Sequence, residues 1–231
     1  NTDFCEQVED EVTPPPTNLL LRDLKEEYSV QIPHRSVTLF NLFLFEKSMN
    51  DVIDQLMAIA RKAAQKIKQA YLQQVTRYRS FHRFTPPEFD VRVLSFSELW
   101  QYALKTFGQE KLSQLEQEVL IKRDNLDDRE LTIRFVDQLA ILCKDLSPMI
   151  ILFFAPPYYP AVSSRQTPKI QRVVADLIDI AHQQYQTTLK KQYYFGGISD
   201  LSYVGLSFST DSILPLTANM PLWDKSYSIP V

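Results

Sequence analysis

Apolar residues recur at two different spacings along this chain, and each change of spacing marks a new element. Thr17–Leu24 is leucine-rich enough for a strand, and Ser36–Phe45 gathers Val37, Leu39, Leu42, Phe43, Leu44 and Phe45 into a strongly β-prone run. At Asn50-Asp51, an N-cap residue followed by acid in the first turn, the spacing changes to three and four. Val52, Leu56, Ile59, Ala63, Ile67, Ala70 and Val75 then predict a helix to about Tyr78, with a Lys/Arg/Gln face outside. Pro86-Pro87 breaks that pattern, and Val91, Val93 and Phe96 predict a strand over Phe89–Phe96. Ser97 is placed to cap a short helix containing Leu99, Trp100 and Leu104, and Gln109–Lys122 carries Leu112, Leu115 and Val119 on one face. Asp127 with Glu130 reads as a capping box for a helix to about Leu146, striped by Leu131, Phe135, Leu139 and Leu142.

The apolar run Met149–Ala155 is expected of a central strand covered on both faces. Thr167-Pro168 opens a helix that the stripe Ile170, Val173, Val174, Leu177, Ile178, Ala181, Tyr185 and Leu189 carries to about Lys191. Tyr193, Tyr194 and Phe195 then predict a buried strand that stops at Gly196-Gly197. Strand, loop, helix and strand in that order predict a βαβ unit, and the chain as a whole is of the α/β class. The earlier order of two strands, a long helix and a strand predicts most of a βαββαβ sandwich lacking its first strand. The acidic first segment, running into Pro14-Pro15-Pro16, reads as a helix end followed by extended chain. Thr217–Val231 shows no evident final element.

Composition narrows the functional classes. A chain of 231 residues with 45% hydrophobic and 23% charged residues can bury a real core. The net charge of −3 argues against wholesale binding of nucleic acid or an anionic membrane. From Asp51 to Arg83 the charges are nevertheless mostly Lys and Arg, so that helix surface is basic, and it lacks the interleaved aromatics of a base-stacking surface. Cys5 and Cys143 lie far apart, which is neither a disulfide framework nor a zinc knuckle and fits a cytoplasmic setting. No apolar run is long enough for a transmembrane helix.

Candidate chemistry is sparse in the residues themselves. His34, His82 and His182 stand apart, without the spacing of a metal motif. Cys143 lies on an apolar helix face and reads as core, and the adjacent Glu26-Glu27 point to opposite faces of an extended chain. Neither a phosphate-binding loop nor a nucleophile elbow is present. The informative stretch is the turn after Phe195. Three of the four glycines, Gly196, Gly197 and Gly205, fall there, and Ser199, Asp200 and Ser202 follow the glycine pair. The pair permits positive φ and close backbone approach, so small polar groups can be presented at a sheet edge. A strand-end turn with an Asx or Ser cap reads from the same residues.

Tyr194–Val204, Pro14–Thr17 with Asp23–Tyr28, Ile32–Arg35 with Asn41–Phe43, and Asn219–Trp223 together resemble bacterial arginine-utilisation proteins. Those proteins are in turn similar to the zinc-dependent aminoacylase/carboxypeptidase/desuccinylase family of metallopeptidases. The resemblance covers nearly the whole chain. It implies an incomplete βαββαβ lid and dimerisation domain at residues 1–97, and the later part of an α/β catalytic domain at 98–231. It also implies a substrate-edge loop in which Gly196, Gly197, Ser199, Asp200 and Ser202 contact substrate. Ser202 departs from the family, standing where many relatives carry an arginine that holds a substrate carboxylate. The family's metal ligands cannot be placed in this sequence, so zinc is expected in a longer parent and none on this chain. The expected function is thus part of a zinc amidohydrolase or peptidase acting on an amino-acid or peptide amide, with arginine catabolism as its setting. A homodimer through the lid is expected, with no nucleic-acid or membrane partner. The alternative is a non-catalytic dimerisation or ligand-binding module.

Overall fold

The computed structural model describes residues 2–25, 30–123, 126–195 and 210–225. The chain is α/β, and its contacts group it into two compact units, Asn1–Lys47 with Tyr159–Phe208, and Ser48–Tyr158 with Ser209–Val231. Residue 97 lies inside the second unit, where a strand passes directly into a helix.

Among its described residues the first unit holds three short antiparallel pairs, a 3-10 turn at Thr2–Phe4 and one α-helix. Strands β1 (Gln7–Val8) and β2 (Glu11–Val12) form a small hairpin with Glu9 at positive φ in its turn, where helix end and extended chain were expected. Strands β3 (Thr17–Asp23) and β4 (Ser36–Asn41) form a second hairpin, with a register shift between Asn18 and Leu20. β4 stops short of the predicted Phe45. The backbone N–H groups of residues 45–47 turn instead onto the carboxylate of Glu6.

In the second unit, helix α1 (Met49–Arg79) is capped by Ser48, two residues before the expected start. The Ser48 hydroxyl accepts from the Asp51 N–H at 3.1 Å. Met49, Val52, Met57 and Ala64 form its buried edge, while Ile59 and Ile67 of the predicted stripe are exposed. Strand β5 (Arg92–Ser95) lies parallel to β6 (Met149–Leu152), with Arg92 opposite Met149 and Ser95 opposite Leu152. Helices α2 (Phe96–Leu120) and α3 (Asp128–Leu142) make the crossover. This is a parallel βαβ unit, although not the expected one. The strand after the long helix joins β6 rather than the β3–β4 hairpin, which corrects the sandwich pairing.

The predicted cap at Ser97 is likewise displaced. Ser95 is the N-cap, and it forms a reciprocal capping box with Glu98. Gly108 (φ 79°, ψ 163°) breaks α2 into the two segments the apolar pattern marked. Phe96, Leu99, Leu112, Leu131, Phe135 and Leu139 form the centre of the core. A helix that the apolar pattern did not reveal, α5 (Thr210–Ala218), completes the unit, with Pro215 inside it. The side chain of Asn219 accepts from the Ser97 N–H at 3.1 Å, and its carbonyl accepts from the Phe154 N–H at 2.8 Å. Those bonds tie the start of α2, the exit of β6 and the end of α5 together.

Candidate functional site

Gly196, Gly197, Ser199, Asp200 and Ser202 lie outside the described residues, as do Glu26 and Glu27. What the structure describes is the platform that precedes Gly196 and Gly197 in the chain. Strand β8 (Tyr194–Phe195) pairs antiparallel with β7 (Val162–Ser163), which places Ser163 opposite Tyr194. This pairing replaces the parallel link to β6 that the strand order predicted. The helix between them, α4 (Pro168–Tyr185), ends earlier than expected because Gln186 turns into the left-handed region at φ 53°.

A polar cluster fixes this short ladder. Glu11, only 8% exposed, accepts from the backbone N–H groups of Tyr193 and Tyr194, the second at 3.1 Å. The Tyr194 ring stacks on Phe45 with 4.1 Å between centroids, and its hydroxyl donates to Oε1 of Glu46. Arg165 donates to the same oxygen at 2.7 Å and lies 3.4 Å from a carboxylate oxygen of Glu9. The backbone of Glu46 is itself held, because Glu6 accepts from the N–H groups of Phe45 (3.1 Å), Glu46 (2.8 Å) and Lys47 (2.8 Å). An open cleft of about 240 Å³ is lined by Glu46, Ser163, Arg165 and Gln166.

The electrostatics make the cluster a fixed frame. Burial, followed by the hydrogen bond to the Glu46 carboxylate, pushes the Tyr194 phenol above its usual range. The hydrogen bond with Tyr194 is the main cause holding the Arg165 guanidinium above its already high value. Neither group changes charge near neutrality, so they orient and neutralise rather than exchange protons. The buried Ser163 hydroxyl accepts from the Arg165 N–H at 3.3 Å, and none of its hydrogen bonds is to a histidine. The cluster therefore has the means to position a chain and lacks a nucleophile–base pair among the described residues.

Sequence reasoning did not find Glu11, Glu46, Arg165 and Tyr194 as a group. They are brought together from separate parts of the chain, and no local spacing carries that signal. Metal-binding groups are absent among the described residues: no three His, Cys, Asp or Glu side chains come close enough to hold an ion. The described residues therefore do not fit a resident zinc. His34 and His82 lie in connecting chain and His182 on α4, all three exposed. Cys143 is fully buried, and burial, reinforced by the charge of Asp145, pushes its thiol up to about 11. No helix among the described residues is long and apolar enough to cross a membrane.

Over 230 residues, the chain is 40% identical to the uncharacterized protein YqjN of Bacillus subtilis (strain 168), an alignment covering all of this chain and 42% of YqjN. It is also 26% identical over 238 residues to protein RocB of the same organism, covering all of this chain and 41% of RocB. The chain is a distant relative of RocB. It spans about two fifths of the length of YqjN and of RocB, and the alignment with each takes in the Tyr194–Val204 segment and the polar cluster. No family model matches the chain, and no solved structure matches it.

Proposed function

We propose that the chain is part of a zinc-dependent amidohydrolase or peptidase that acts on an amino-acid or peptide amide. The observation that carries this reading is the relationship to RocB across the whole chain, which includes the Gly196–Ser202 segment. Arginine catabolism is the setting suggested by the resemblance to arginine-utilisation proteins. Within the enzyme this chain contributes the substrate edge. The Glu11, Glu46 and Arg165 frame fixes β8, and β8 delivers Gly196, Gly197, Ser199, Asp200 and Ser202 to the substrate. Short side chains after a glycine pair suit close approach to a planar amide, and Asp200 supplies an acceptor for a substrate N–H or ammonium. Zinc, held by residues other than the described ones, would supply the activated water of amide hydrolysis. The β3–β4 hairpin is proposed as part of the lid.

The test is expression of the complete reading frame that carries this sequence. It should bind zinc and hydrolyse N-acyl amino acids or dipeptides, with activity lost on chelation and restored by zinc. A complete protein that holds zinc yet cleaves neither substrate class would overturn the reading in favour of a binding module.

A further inference from the structure

Helix α4 contains no buried residue, yet it is strongly two-sided. Gln171, Val174, Ile178 and Ala181 are half-buried along one side. Beside them runs a second stripe, Ile170, Val173, Leu177 and Ile180, exposed at 39%, 57%, 56% and 43%. Steps of three, four and three put these four residues on one line along a helix about 27 Å long. Isolated apolar residues on a surface need no explanation, but a continuous line of them marks a surface that another body covers.

The order of residues along the stripe specifies the body. The four positions are symmetric about Ala175. In a reversed copy of the helix, Ile170 stands level with Ile180 and Val173 level with Leu177. The charges on the outer flank are ordered in the opposite sense. Lys169 and Arg172 occupy the first half of the helix and Asp176 and Asp179 the second, all four exposed. Antiparallel packing brings Arg172 level with the gap between Asp176 and Asp179 of the copy, and Lys169 near its Asp179. Parallel two-fold packing would face this charged flank with the partner's opposite flank and leave its charges unpaired. Antiparallel packing also pairs each helix dipole with its opposite. Symmetric apolar spacing with sign-reversed charge is what a self-complementary surface requires, and an unrelated partner requires neither.

We propose that α4 is a self-association surface on which the same helix of a second copy packs antiparallel, with its two-fold axis level with Ala175. This surface lies outside the Ser36–Phe45 strand where a lid dimer was expected, and the inference does not depend on the proposed activity.

The experiment is sedimentation velocity on the complete protein that carries this sequence, across the micromolar range, with far-UV circular dichroism on every variant. A monomer–dimer equilibrium is expected, and Leu177→Asp should leave only monomer with an unchanged spectrum. Lys169→Glu with Arg172→Glu should weaken the dimer at least tenfold, and adding Asp176→Lys and Asp179→Lys should restore it. These four are surface positions, so the charge series decides the matter if Leu177→Asp disturbs folding. In a Cys5→Ser background, Arg172→Cys chains should cross-link to Asp179→Cys chains faster than either links to itself. A wild-type monomer at all concentrations, meaning that another segment or partner covers the stripe, would overturn the proposal. So would a dimer indifferent to the charge series, or preferential cross-linking of like variants.

Discussion

Replacing Glu11 by alanine should loosen strand β8, just before Gly196 and Gly197, while leaving the second unit untouched. The carboxylate is nearly inaccessible and accepts two consecutive backbone N–H groups, those of Tyr193 and Tyr194. Strand β8 has only two residues in its ladder with β7, so few other bonds hold it. A hydrogen bond to a charged group contributes about 1.5–3 kcal/mol, and water entering the vacated space recovers part of the loss. The expected cost is about 2–4 kcal/mol of local stability, or roughly 30- to 1000-fold in the opening equilibrium. Hydrogen exchange reads this directly. The amides of Tyr193 and Tyr194 should exchange faster by that factor, while the Leu139 amide in the core of the other unit keeps its rate. Glu11→Gln should fall between, because its amide retains one acceptor but turns an NH₂ group toward the second donor. Unchanged exchange at Tyr193 and Tyr194 in the alanine variant would refute a role for Glu11 in holding β8.

Other consequences can be measured separately. In the proposed complete enzyme, Asp200→Asn should lower turnover at least tenfold, about 1.4 kcal/mol of transition-state stabilisation, with little change in melting temperature. Unchanged turnover with a lowered melting point would assign Asp200 to turn capping instead. Gly197→Val should cost about 1–3 kcal/mol if that residue has positive φ, read as a fall in the unfolding midpoint. The 231-residue chain should retain no stoichiometric zinc after dialysis, and metal analysis near one ion per chain would show that its ligands have been misplaced. Because burial raises the Cys143 thiol to about 11, a thiol reagent at mildly alkaline pH should label Cys5 and spare Cys143 until the protein unfolds.

What could be read in the sequence was local. Asp127 and the stripe Leu131, Phe135 and Leu139 specify α3 because a cap and its helix lie within a few residues of each other. Gly108 likewise divides α2 where the apolar pattern changed. The cap at Ser95 was legible too, since Glu98 follows it by three residues, whereas Ser97 is followed by Trp100. Strand pairing was not legible. Val93 and Ile150 are apolar in any sheet, and nothing in their spacing assigns β5 to β6 rather than to β4. For α1, Ile59 and Ile67 widened the apparent stripe beyond the edge that is buried. The frame around Tyr194 was hidden for a different reason. Its carboxylates read as ordinary solvated acids until Arg165 and two backbone N–H groups are seen to face them.

Glu6 has one further consequence. Three successive N–H groups, from Phe45 to Lys47, converge on its carboxylate, so the loop is a concave anion receptor whose occupant is tethered to the same chain. Tethering gives that occupant an effective concentration in the millimolar range or above, and it holds the receptor closed to anions in solution. Truncation at Glu6 would therefore turn the loop into a vacant receptor. Acetate or formate in the buffer should then fill it and restore part of the lost stability, a chemical complementation that unsubstituted protein would not show.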